Sequence, residues 1–94
     1  MNRDDILQEA MHCITVDRAS THGDAEDSFS EIAKLWDWWL QNRPVPKAEL
    51  LPEDVAMMMA LFKIVRISGN SKHDDNFIDL AGYAALAGEI SMQK

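Results

Sequence analysis

Ninety-four residues, 47% of them hydrophobic, suit one domain with a modest core and argue against intrinsic disorder. Sixteen acidic against nine basic side chains give a net charge of −7, which repels nucleic-acid backbones and anionic membrane surfaces. With Cys13 the one cysteine, an intrachain disulfide is excluded, and a reducing, cytoplasmic setting is expected.

The N-terminal MNRDDILQEAMHCI alternates polar and apolar residues and has no basic segment followed by an apolar block, so it does not read as a signal peptide. Ile6, Leu7, Ala10, Met11 and Ile14 follow 3–4 spacing, which predicts an amphipathic helix over about 3–16. DRASTHGDA reads as a loop around Gly23, with Asp24 as the cap of a second helix over about 25–42. That helix places Phe29, Ile32, Ala33, Trp36, Trp39 and Leu40 on one side. RPVPKAELLPED breaks the pattern, since proline fixes φ and removes a donor. Pro52 then suits a first helical turn, and Glu53 and Asp54 complement the positive end of the dipole. The third helix is expected over about 52–68 and, after SGNSKH, a fourth over 75–91. No apolar run approaches the ~20 residues that span a bilayer, so no membrane partner is expected.

The third and fourth helices are apolar nearly all round: VAMMMALFKIVRI carries only Lys63 and Arg66, and FIDLAGYAALAGEI only Asp79 and Glu89. Such helices lie at the centre of a bundle or are covered by another subunit. The expected fold is all-α, a four-helix bundle-like single domain that oligomerises through its third and fourth helices, with a homodimer favoured.

Asp79 stands out because a carboxylate in an apolar run needs a partner. A tight antiparallel turn at 69–73 sets Lys63 opposite Asp79, and Arg66 opposite Asn76 and Asp75. One reading is structural, with two ion pairs across the hairpin. The other is a polar pocket for a metal-bound phosphate: Mg²⁺ takes one or two carboxylates together with phosphate oxygens and water, and Asp27 and Glu31 add a second acidic pair four apart. Among single residues, His22 and His73 are candidates for phosphate contact, although local hydrogen bonding is the commoner role. Trp38, near the polar side of its helix, is suited to base stacking or to a subunit interface. Met57, Met58 and Met59 read as core filler, His12 as solvent-exposed and Cys13 as inert.

The stretches DRASTHGDAEDSFSEIAKLW and PEDVAMMMALFKIVRISGNSKHDDNFIDLAGYAAL resemble a small phage and prophage family of unknown function. That family is marked by an HGD loop, a Lys-x-x-Arg helix and a KHDDxxxDxAGYA run. More distantly, the pattern is similar to the MazG-like all-α nucleotide pyrophosphatases, whose four-helix cores bind Mg²⁺ through acidic pairs on two helices. This resemblance implies Asp75 and Asp79 as one metal pair, Glu31 with Asp27 as the other, and Lys63, Arg66 and Arg18 on phosphates. Both acidic pairs are spaced four apart, where the enzymes space theirs three apart. The expectation is therefore a phage accessory protein that binds a small nucleotide, with Mg²⁺-dependent pyrophosphatase-like activity or without catalysis. The alternative is an anti-defence module that sequesters a signalling nucleotide or binds a host protein.

Overall fold

A computed structural model describes residues 1–17, 25–69, 72 and 74–93, with the side chains of 16–17 and 25–27 outside that description. The Asp24 cap, Arg18, His22, His73 and the Asp27 side chain therefore lie outside the described residues. The elements are α1 (Arg3–His12), a π-helical turn (Cys13–Asp17), α2 (Ala25–Asn42), α3 (Pro52–Gly69) and α4 (Asp74–Met92). The described residues contain helices and no strand, so the all-α, bundle-like reading holds.

α1 starts on a capping box. The Asn2 side chain accepts from the Asp5 N–H at 2.9 Å, and the Asp5 carboxylate accepts from the Asn2 N–H at 3.1 Å. Its C-terminal end loosens into the π turn, where the Thr15 hydroxyl donates to the Met11 carbonyl at 2.6 Å.

The close packing lies within α2, α3 and α4: α3 and α4 form a helical hairpin, and α2 lies against α3. Among the described residues, Ile32, Ala60, Val65 and Ala87 form the buried apolar core. Trp36 is half-buried and donates its indole N–H to the Met58 carbonyl at 2.6 Å, tying α2 to the middle of α3.

α1 takes no share of this core, and every residue from Arg3 to Thr15 is exposed. Of the stripe on α2, Ile32 is buried and Trp36, Trp39 and Leu40 are half-buried, whereas Phe29 and Ala33 stay exposed. Large apolar side chains of α3 and α4 are also open to solvent, among them Val55, Ile64, Phe77, Ile78 and Leu86. This is the surface expected where two helices are apolar on more sides than a single chain can cover.

Candidate functional site

Lys63 and Asp79 meet across the α3–α4 hairpin, with Nζ 2.8 Å from Oδ2. Lys63 lies on the inward side of α3, its side chain 13% exposed, and Asp79 opens outward at 46%. The antiparallel register thus gives the pair, but the carboxylate is not buried as its apolar neighbours suggest. Asp79 sits at the margin of the hairpin, where one oxygen meets Lys63 and water reaches the carboxylate.

Two cations lie near the Phe62 ring: Lys63 Nζ is 5.4 Å and the Arg66 guanidinium carbon 5.1 Å from its centre, within cation–π range. Asp75, one turn ahead of Asp79, is exposed. Between them on the inner side, Asn76 is buried, and its amide nitrogen has no hydrogen-bond partner.

The other nominated residues lie apart from this group. Glu31 is exposed on α2 and pairs with Lys34 at 3.1 Å, one turn away. Among the described residues no group of three His, Cys, Asp or Glu side chains is placed to hold a metal ion, so Glu31 does not join Asp75 and Asp79 there. Trp38 is 59% exposed on the outside of α2.

A second feature escaped the sequence reading. Arg43 and Asp54, 6% and 3% exposed, form a buried ion pair between Nη1 and Oδ2. Asp54 also accepts the Trp39 indole N–H at 3.1 Å and the Leu51 backbone N–H at 2.9 Å. The last bond caps α3, because Asp54 stands in its first turn and reaches back to the residue before Pro52. Arg43 in turn donates to the carbonyls of Pro46, Ala48 and Glu49, closing the α2–α3 connection around its guanidinium. Burial pushes the Asp54 carboxyl up, but the hydrogen bonds from Leu51, Trp39 and Arg43, with the Arg43 charge, outweigh it and hold the pKa below the ordinary 3.8.

Over this pair lies a groove of about 450 Å³, bounded by Trp39 and Val45 on one side and by Met57, Ala84, Gly88 and Ser91 on the other. Its wall is largely apolar, and the Arg43–Asp54 pair beneath it holds the loop. Two signals in the sequence could have found the pair. Arg43 continues the half-buried Trp36–Trp39 stripe of α2, and Asp54 stands three residues after the capping position of α3.

The family described as domain of unknown function DUF6378 matches residues 5–91. The chain belongs to the DUF6378 family. Among the relatives of this DUF6378 chain, the Gene 55 protein of Mycobacterium phage L5 is 38% identical over 87 residues, covering 93% of this chain and 53% of the phage protein. The Gene 55 protein of Mycobacterium phage D29 is 36% identical over 85 residues, covering 90% and 52%. The DUF6378 chain thus spans about half the length of the curated relatives it matches. No solved structure matches it. No helix among the described residues is long and apolar enough to cross a membrane.

Proposed function

We propose that this DUF6378 chain is a phage or prophage accessory protein that binds a small nucleotide near the connected end of the α3–α4 hairpin. The observation that carries the reading is the Lys63–Asp79 pair, in which a mostly buried cation and a half-exposed carboxylate meet on facing helices. A phosphate finds there a fixed positive charge, with Arg66 one turn further along α3. Arg18 and His22 are the further phosphate contacts in this reading, and Trp38 serves a base or a subunit contact.

Mg²⁺ fits the donor set. Asp75 and Asp79 offer hard oxygen ligands on successive turns, both reachable from solvent, and two carboxylates with phosphate oxygens and water are a common Mg²⁺ environment. When bound, the ion would neutralise phosphate charge. Asp75 and Asp79 would hold the ion, and Lys63 would meet the phosphate. Glu31 and Asp27 are the acidic pair that the MazG-like resemblance adds. Pyrophosphatase-like cleavage would join water to the α-phosphorus and break the α–β bridge to release pyrophosphate. The net charge of −7 favours a second reading, in which the protein occupies a basic site on a host protein; sequestering a signalling nucleotide without cleaving it is the non-catalytic form of the first.

Melting curves of wild type and Asp79→Asn, with and without Mg²⁺ and a panel of nucleotides, test the proposal. Because Asp79 is half-exposed, its loss is expected to cost only about 1 kcal/mol without ligand. Wild type is expected to gain about 2.7 kcal/mol at a hundredfold excess of ligand over Kd, and Asp79→Asn to lose most of that gain. Pyrophosphate release in the same mixtures separates cleavage from holding. A wild type indifferent to every nucleotide, beside a strongly destabilised Asp79→Asn, would leave the pair as scaffold and overturn the proposal.

A further inference from the structure

α1 is amphipathic, yet no described residue covers its apolar side: Ile6, Leu7, Met11 and Ile14 are 53–65% exposed. Elsewhere on the chain, α2 and α3 form a groove of about 480 Å³ from Phe29, Ile32, Ala33, Trp36, Met59 and Phe62, with no polar atom in its wall. A helix lacking a groove and a groove lacking a helix stand on one molecule. We propose that α1 of a second copy lies in this groove, so that two copies exchange their α1 helices and each completes the other's three-helix core.

Two quantities favour a second copy as the occupant. The chain exposes 6970 Å² where a folded monomer of 10.6 kDa is expected to expose about 5,500 Å². The excess, roughly 1,500 Å² on each chain, is the area that obligate homodimers bury. The radius of gyration is 15.6 Å, against about 12 Å for a folded chain of this length. The exchange is reciprocal, so one twofold axis closes the assembly at a dimer.

The test uses the full chain. Ile6→Asp/Met11→Asp spoils the helix, and Ala33→Glu spoils the groove; none of these side chains belongs to the buried core, so circular dichroism should show the helical signal retained. In sedimentation at micromolar concentration, wild type is expected at twice 10.6 kDa and each variant at 10.6 kDa. The exposed Cys13, the one cysteine in the chain, then takes a donor dye on one variant and an acceptor on the other. Mixed at high concentration, the two variants retain one intact helix-in-groove contact and are expected to show energy transfer that neither shows when mixed with itself. A monomeric wild type, a dimer that survives either variant, or complementary variants that never pair would overturn the exchange.

Discussion

Asp54→Asn is expected to lower the stability of the fold by about 3–5 kcal/mol, which for a chain of this size moves Tm down by more than about 12 °C. The carboxylate accepts three hydrogen bonds, from Leu51, Trp39 and Arg43, within a site that is 3% exposed. An amide keeps the shape but turns a donor towards donors and leaves the Arg43 charge buried without its counter-ion. Acid should reproduce part of the effect. Because the folded pKa of Asp54 lies below 3.8, the unfolded chain takes up this proton first as pH falls. Its stabilising contribution is complete above the ordinary carboxylate pKa and disappears as pH drops through the lower folded value. Urea unfolding of wild type and Asp54→Asn at pH 7 and pH 3 should show the gap between them narrowing in acid; a gap of less than about 1 kcal/mol at pH 7 would contradict this account of the pair.

Arg43→Met should be nearly as damaging on its own, for it strands the carboxylate and removes the donor shared by the carbonyls of Pro46, Ala48 and Glu49. The informative variant is the double one. Arg43→Met/Asp54→Leu, set against Arg43→Met and Asp54→Leu each alone, removes both charges together, so the stranded-ion cost that either of those single variants suffers is absent. It is expected to fall short of the summed single losses by more than about 2 kcal/mol, while remaining below wild type because the Trp39 and Leu51 N–H groups and three loop carbonyls lose partners. Losses that simply add would mean that Arg43 acts through its loop contacts alone.

The helices were legible because apolar spacing, proline and capping residues are local signals, and the observed spans follow them closely from Pro52 onward. Lys63 opposite Asp79 was legible too, since a short antiparallel connection leaves little freedom of register. Exposure was harder to read. Asp79 looks buried in the sequence because its neighbours are apolar, but those neighbours, Ile78 among them, themselves face solvent in the single chain. The Arg43–Asp54 pair was missed for a related reason: each residue has an ordinary local role, at a helix end and in a first turn, and only packing shows that the two roles share one buried place. The uncovered side of α1 has the same origin, for periodicity reports that a helix has an apolar face and says nothing about which surface meets it.

In the packed core each helix lies against its neighbour in the sequence, α2 on α3 and α3 on α4. Almost no chain entropy is then spent in bringing distant segments together, because each closure spans only a short connection. Such an arrangement folds on the microsecond-to-millisecond scale, and the α3–α4 hairpin can form before α2 is in place. If the dimer forms by exchange, stopped-flow refolding should show this fast, concentration-independent phase followed by a slower second-order one, the first building three helices and the second joining two chains. A single phase whose rate scales with protein concentration from the outset would mean that the core itself cannot form until two chains have met.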